Sequence, residues 1–303
     1  MRVLVTGGCG FIGSHIVDEL QSQGHSVLVI DDLSSGKKER INCDLEIADI
    51  KDTKKLLEIF SKFKPDVVIH TAAQVMLRKS LEDPVFDIHN NVLGTISVLE
   101  ACKEAKIKKF IYTSTGGAAY GEPEKLPVHE DHPKKPLAPY GISKYTAEHY
   151  VRFYADQYGF EYLIFRFGNV YGPRDDPKTK RIISVITDSL LNKKEFSIFG
   201  DGNQTRDFLY VKDIAKIFGK YANQTTQSSV YNLASGNGIS VNQIYELIAN
   251  HLNIKEQPKH SEAIQGEVRD IFLDISKAKQ ELNWKPTSFE QGIKETIEWF
   301  KKN

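Results

Sequence analysis

The chain has 303 residues, with 40 Lys plus Arg against 40 Asp plus Glu and a formal net charge of zero. That length supports one large or two ordinary domains around a sizeable core and excludes a disulfide-stapled mini-protein; three cysteines without a CxxC pair, Cys9, Cys43 and Cys102, fit a reducing compartment, so the cytoplasm is expected. The even charge balance leaves no excess to hold a nucleic-acid backbone or an anionic membrane surface, and no stretch nears the roughly 20 apolar residues of a membrane span.

Short β-branched runs alternate with stretches of helical period, the pattern of βαβ units. Strands are expected over 3–6, 27–31, 67–70, 110–114 and 162–167. Between them, helices are expected over 12–23, over 53–63 with Asp52 as N-cap, over 84–105 and over 140–158. Residues 1–168 therefore read as an α/β domain with a doubly wound parallel sheet of Rossmann type. Beyond Gly168 the alternation loosens into Gly, Pro, Asp and Asn, with helical segments near 182–191, 241–252 and 289–299. Residues 169–303 read as a smaller mixed α/β domain, some segments of which return to the first sheet.

Directly after the first strand, Gly7, Gly8, Gly10 and Gly13 open the first helix as TGGCGFIG. Glycines so placed allow a tight turn, close backbone approach to a pyrophosphate and close helix-on-strand packing. The helix N-terminus then offers its amide N–H groups to the diphosphate. Glycines also mark ordinary turns, but Asp31 ends the second strand, where a carboxylate accepts hydrogen bonds from an adenosine ribose. That acid repels a 2′-phosphate and favours NAD over NADP; Lys37 and Lys38 pull the other way.

Tyr140 and Lys144, in PYGISK, lie four apart and share a helix face if the helix starts near Pro139. An ammonium beside the phenol favours the phenolate, a usable proton acceptor near neutrality. The bland alternative is an exposed helical pair. Upstream, the strand that ends at Thr115 delivers hydroxyls to the carboxyl edge of the sheet, where open α/β sheets place ligands. Thr115 is the candidate third member and Ser114 its competitor.

Taken in order, TGGCGFIG, Asp31, the Asp49–Ile50 pair, HTAAQ, NNVLGT, FIYTST followed by AAYGE, PYGISK, RFGNVYGPR, DGNQTRDFLYVKD and ELNWKP resemble the NAD-dependent epimerase/dehydratase family, the extended short-chain dehydrogenase/reductases. The resemblance runs nearly end to end. It implies an isomerase that inverts C4 of a UDP-hexose, UDP-glucose and UDP-galactose leading and N-acetylated forms following, through a transient 4-keto sugar and tightly bound NAD. It makes Tyr140 the base, has Lys144 lower its pKa and hold the nicotinamide ribose, and has Thr115 bond the reacting hydroxyl. Cofactor contacts carry over to Gly7, Gly10, Phe11, Ile12, Gly13, Asp31, Asp49, Ile50, Ala72, Ala73 and Asn91. Substrate contacts carry over to Ser114, Asn169, Phe199 on the uracil side and Arg206 at the diphosphate. Read from the residues alone, Asp49 serves equally as a cap, Asn169 as a turn former, and Arg206 as a structural partner of Asp207 or Asp213.

Three departures from the family pattern stand out. Ile264 occupies the place of an expected diphosphate-binding arginine, for which Arg269 is a candidate substitute. The residues after Thr115 are Gly116-Gly117-Ala118-Ala119, without the Asp–Glu pair of related 4,6-dehydratases. Ile271 replaces a bulky tyrosine beside the sugar pocket and leaves space for an N-acetyl group. The rivals are a UDP-glucuronate 4-epimerase or another sugar modifier and, from a different class, a non-catalytic NAD-binding regulator, which would have no need of Tyr140 and Lys144. In this family the helices that match 91–105 and 143–158 build a four-helix dimer interface, so a homodimer is expected. His129, Glu130, Asp131 and His132 lack HExxH spacing and fall among prolines, so no metal is expected. Lys106, Lys108 and Lys109 read as a solvated face.

Overall fold

The computed structural model describes residues 1–262 and 268–303. The chain forms two compact units: Met1–Tyr120, Lys134–Arg166 and Ile214–Tyr231 make the first, and Gly121–Pro133, Phe167–Asp213 and Asn232–Asn303 the second.

A seven-stranded sheet organises the first unit, in the spatial order Ser229–Leu233, Glu161–Phe167, Lys109–Thr115, Val67–His70, Arg2–Thr6, Ser26–Asp31, Asp44–Ile47. Arg2–Thr6 runs parallel to both of its neighbours. The strand order reverses there, so the carboxyl ends of Arg2–Thr6 and Val67–His70 flank the switch point at which doubly wound sheets bind ligands. Helices cover both faces of such a sheet, which is why its strands read as continuous apolar runs. Leu4, Leu28, Ile30, Val68, Phe110 and Tyr112 pack with Leu56, Phe60, Val98, Leu99 and Ile164 in one core. Full burial of a side chain such as Phe60 contributes about 1.5–3 kcal/mol.

Local chemistry sets the helix ends. The Asp52 carboxylate accepts the Lys55 N–H at 3.0 Å at the start of Thr53–Phe63. Pro139 occupies the first turn of Pro139–Tyr158, and Gly159 ends that helix at a φ of 75°.

The helix expected over 84–105 is two helices, Pro84–Ile88 and Gly94–Ala105, joined by a π-type turn at His89–Leu93. Asn91 accounts for the break. Its Oδ1 accepts the Gln74 N–H at 2.8 Å and its Nδ2 donates to the Gln74 carbonyl at 2.9 Å, while the Thr95 hydroxyl donates to the Asn91 carbonyl at 2.7 Å. A wider turn shifts the helical phase, so Val85, Ile88 and Leu93 stay exposed while Val98, Leu99 and Cys102 are buried.

Lys109 also departs from expectation. It is buried, and its Nζ donates to the carbonyls of Tyr221 at 3.1 Å and of Gln224 and pairs with Glu161 at 3.2 Å. Lys108 does face solvent, paired with Asp66 at 3.0 Å. The two edge strands, Asp44–Ile47 and Ser229–Leu233, are short and weakly patterned, whereas the helix Val211–Asn223, also absent from the expectations, does carry helical spacing in its buried Val211, Ile214, Ala215, Phe218 and Tyr221.

In the second unit, Thr205–Tyr210 lies between Gly238–Ser240 and Asp270–Ile271 and also pairs with Asn169–Tyr171; Ser197–Phe199 pairs with Lys259–Ser261. Ile183, Ile186, Phe208, Val241, Ile244, Ile248, Ile293 and Ile297 form its core. Residues 121–133 belong to this unit because Val128 is strapped to it: its N–H donates to the Phe272 carbonyl at 2.9 Å and its carbonyl accepts the Asp274 N–H at 2.8 Å. The Asn232 N–H donates to Glu130 at 2.8 Å alongside. Among the described residues no helix is long and apolar enough to cross a membrane.

A Cβ on Gly13 would lie 2.2 Å from the Gly7 carbonyl oxygen. Gly13→Ala should push the first helix off the glycine turn and cost about 1–3 kcal/mol. Thermal unfolding tests this, and an unchanged Tm would show that the close approach is unimportant.

Candidate active site

The glycine loop forms a cradle that side chains would fill. A Cβ would meet the Ala72 N at 2.6 Å if placed on Gly7, whose φ is +72°, and Val29 at 2.6 Å if placed on Gly8. Gly10, the N-cap of Phe11–Ser22, brings no side chain to the first-turn N–H groups. Phe11, Ile12 and Gly13 begin that helix, and a diphosphate is the kind of acceptor its N-terminus takes. Asp31 closes the neighbouring strand, its Oδ2 accepting the Cys9 N–H and its Oδ1 the Leu33 N–H, both at 2.9 Å. Burial raises its carboxyl above the usual range, while those two N–H groups pull it down. The cradle, the uncapped helix end and the acid fit a dinucleotide.

Ala72 abuts Gly7, and Ala73 follows it in the loop after Val67–His70. Asp49 accepts the Lys51 N–H at 2.8 Å and pairs with Lys51 Nζ at 2.9 Å, so it does shape a turn. Ile50 is buried against Gly94. Asn91 is buried, and its amide anchors Gln74 as described.

Tyr140, Lys144 and Glu148 follow one another at intervals of four on Pro139–Tyr158 and share a face. Tyr140 is half-buried, whereas Lys144 is 3% exposed, with its Nζ 4.2 Å from the centre of the Tyr112 ring. Burial lowers the Lys144 pKa to about 7, against the pull of the Glu148 and Asp87 carboxylates. Burial, together with Lys144, also drops His70 to about 3, which leaves its imidazole neutral.

Ser114 and Thr115 differ in what their hydroxyls do. Ser114 Oγ donates to Glu148 Oε1 at 2.6 Å. Arg166 bridges the same carboxylate, with Nε 2.9 Å from Oε1 and Nη2 2.6 Å from Oε2, and its Nη1 donates to the Tyr120 hydroxyl at 3.0 Å. The Ser114 proton is thus committed to a buried ion pair. Thr115 is half-buried and caps Gly116–Ala119, its Oγ1 accepting the Ala118 N–H at 3.3 Å, which leaves its own proton to donate. Between the two candidates this geometry favours Thr115.

In the second unit, Asn169 and Phe199 are exposed on their strands. Arg206 sits in register with buried Ile271, and its Nη1 donates to the carbonyls of Thr205 at 2.9 Å and Arg269 at 3.0 Å. Arg269 is exposed, 3.6 Å from Asp201 and 3.9 Å from Asp270. Asp207 accepts the Ser235 hydroxyl at 2.6 Å and the N–H groups of Ser235, Gly236 and Leu273 at 2.7, 3.0 and 3.1 Å. Burial raises its pKa to about 6 against those donors. Asp213 accepts the Thr287 N–H at 2.7 Å. Ile264 lies outside the described residues.

Sequence reasoning missed Glu148, Arg166, Asp87 and Tyr112. The one available signal was Glu148, a second step of four beyond Lys144 on the same helix.

Ser114→Ala should lose about 1.5–3 kcal/mol of stability, the scale of a hydrogen bond to a charged group, with turnover little changed. Thr115→Val should lose turnover by roughly 10² and, because it removes the cap on Gly116–Ala119, also about 0.5–2 kcal/mol of stability. Unfolding curves beside kcat measurements check both, and the opposite ranking in kcat would reassign the hydroxyl.

Residues 3–234 match the family described as "NAD dependent epimerase/dehydratase family". A curated relative from Methanocaldococcus jannaschii, described as a putative UDP-glucose 4-epimerase, is 45% identical over 305 residues, 99% of each chain. The crystal structure of the Thermotoga maritima UDP-glucose 4-epimerase with UDP-glucose superimposes with a TM-score of 0.97 at 40% identity, covering 100% of this chain and 99% of that one. A UDP-N-acetylglucosamine 4-epimerase from Methanobrevibacter ruminantium, in complex with UDP-N-acetylmuramic acid, gives a TM-score of 0.93 at 34% identity over 99% and 98% of the two chains. The chain belongs to the NAD dependent epimerase/dehydratase family.

Proposed function

We propose that this chain is an NAD-dependent epimerase that inverts C4 of a UDP-hexose, with UDP-glucose and UDP-galactose as the leading pair. The observation that carries the reading is the conjunction, in one compact unit, of the glycine cradle with Asp31 and of Tyr140 and Lys144 on one helix face. Gly7, Gly10, Phe11, Ile12, Gly13, Asp31, Asp49, Ile50, Ala72, Ala73 and Asn91, with Tyr140 and Lys144, are the residues we assign to the cofactor. When bound, NAD takes the hydride of C4 and later returns it to the other face of the sugar.

Tyr140 removes the proton of the 4-hydroxyl as its phenolate and gives it back after the sugar turns over. The Lys144 ammonium, held in a buried setting, favours that phenolate. Thr115 donates to the reacting oxygen and orients it. Nothing is consumed, which separates this reading from a reductase. Residues 116–119 carry no carboxylate to assist loss of the C6 hydroxyl, which separates it from a dehydratase. Arg206 is suited to the diphosphate because its planar fork bonds two oxygens at once, and Arg269 is its candidate helper. Phe199 offers an exposed ring to the uracil side and Asn169 a polar contact. Ile271, smaller than a tyrosine, supports a second reading in which N-acetylated hexoses also enter; the M. ruminantium structural relative carries that specificity in its name.

We place the protein in the cytoplasm, with Cys9, Cys43 and Cys102 free thiols. We also propose a homodimer. Val85, Ile88 and Leu93 are exposed on or between the helices of 84–105, and Ile142, Phe153 and Tyr158 on Pro139–Tyr158, which packs against them. A two-fold axis through this face would cover both sets.

Two experiments test these readings. In sedimentation, Phe153→Glu should shift a dimer to monomer, whereas a monomeric wild type at micromolar concentration rejects the dimer. In proton NMR, the enzyme as purified should convert UDP-galactose to its C4 epimer, and Tyr140→Phe should slow this by roughly 10² or more while still retaining NAD. Ile271→Tyr should selectively lose UDP-N-acetylgalactosamine. Conversion of UDP-glucuronate alone would replace the leading substrate, and silence in every tube with NAD supplied would reject the epimerase.

A further inference from the structure

The guanidinium assigned above to a diphosphate is tied to the backbone of a neighbouring strand. Arg206 lies on Thr205–Tyr210, and its Nη1 donates to the Thr205 carbonyl at 2.9 Å and to the Arg269 carbonyl at 3.0 Å. The first bond stays within the strand that carries Arg206. The second depends on where Asp270–Ile271 places the carbonyl that precedes it, and that strand pairs with Thr205 and Arg206 over two residues. In so short a ladder the side chains at the strand end decide how firmly that carbonyl is held.

Asp270 supplies the hold. Its Oδ1 accepts the Thr205 hydroxyl at 2.6 Å and the Thr205 N–H at 3.2 Å, and the same N–H donates to the Arg269 carbonyl at 3.0 Å. Thr205 and Asp270 are partners in the register, so these bonds clamp the pair directly. Farther along, Asp207 takes the Leu273 N–H at 3.1 Å and fixes the other end of the segment. A carbonyl oxygen has two lone pairs, enough for the Thr205 N–H and the Arg206 Nη1 together. The charge of Asp270 has a weaker outlet. Its Oδ2 is 3.9 Å from Arg269 Nε, and the two side chains are 39% and 70% exposed, a setting in which ion pairs contribute little.

With Nη1 on two carbonyls, the plane of the Arg206 guanidinium is set, and with it the direction in which Nε and Nη2 present their N–H groups. A planar fork meets two phosphate oxygens at once in a narrow range of orientations, and holding it beforehand lessens the rotamer freedom lost on binding. We propose that Asp270 is a positioning residue for the diphosphate: by bonding Thr205 it sets the Arg269 carbonyl that braces Arg206. It acts through hydrogen bonds rather than through its charge. The inference rests on the nucleotide-sugar reading for its ligand.

The probes are UDP and uridine, titrated calorimetrically into the NAD-loaded enzyme; the gap between their Kd values reports the diphosphate. In Asp270→Ala the Kd for UDP should rise about fivefold, the scale of one long side chain left to be ordered on binding, with uridine unchanged. Asp270→Asn should bind UDP as the wild type does, because its Oδ1 still accepts both Thr205 bonds. In an Arg206→Ala background, Asp270→Ala should change nothing further. Equal losses for UDP and uridine overturn the proposal, and so does tighter UDP binding by both Asp270 variants, the result expected of a charge that merely repels phosphate. If Asp270→Ala does not fold, Thr205→Val replaces it and should show a UDP-selective loss of about twofold; no loss rejects the idea. A wild type that binds uridine as tightly as UDP would instead count against the diphosphate reading. Nitrogen-15 relaxation of Arg206 Nε, assigned with Arg206→Lys, then decides the bracing: the group should be ordered in the wild type and in Asp270→Asn and mobile in Asp270→Ala, and equal order in all three overturns it.

Discussion

The buried carboxylate of Glu148 is the tie on which the catalytic unit depends. A charge without water must be given donors, and here they come from three places: Ser114 at the end of one strand, Arg166 on the next, and Arg152 on the helix that carries Glu148 itself. Breaking such a pair by removing one partner costs about 3–5 kcal/mol, because the other charge is left buried. The consequence is geometric. Tyr140 and Lys144 sit on the same helix face, and Thr115 follows Ser114 directly, so one ion pair ties the helix that carries Tyr140 to the strand end that carries Thr115.

A second constraint runs through the backbone. The glycine turn after the first strand lies so near the loop at Ala72 that a side chain on Gly7 would collide with it. That loop is held from its other side by Asn91 through Gln74. The π-type turn at His89–Leu93 is therefore no irregularity of a long helix: it is where the helix yields so that one amide can hold a loop. π-type turns recur at functional sites.

The second unit uses the same device with different donors. Asp207 is buried, and four protein donors converge on it, from Ser235, Gly236 and Leu273. It stands next to Arg206, whose guanidinium is itself braced on two carbonyl oxygens. An arginine that binds a diphosphate through two oxygens gains most when its plane is held beforehand, since less rotamer freedom is then lost on binding.

The local signals were legible in the sequence by themselves. Most strands and helices of the first half follow from apolar period, the edge strand Asp44–Ile47 excepted, Asp52 from its place before a helix, the glycine loop with Asp31 from their spacing, and Tyr140 with Lys144 from a step of four. Each depends on residues near one another in the chain, where period and turn chemistry suffice. What the tertiary structure alone decided is which polar groups meet after burial. Ser114 rather than Thr115 is taken by Glu148, Lys109 is drawn inside by carbonyls more than a hundred residues away, residues 121–133 are strapped to the second unit, and Asn91 splits a helix by reaching Gln74. No periodicity encodes these choices, because a buried donor is satisfied by whichever acceptor the fold brings within 3 Å, however far it lies along the chain.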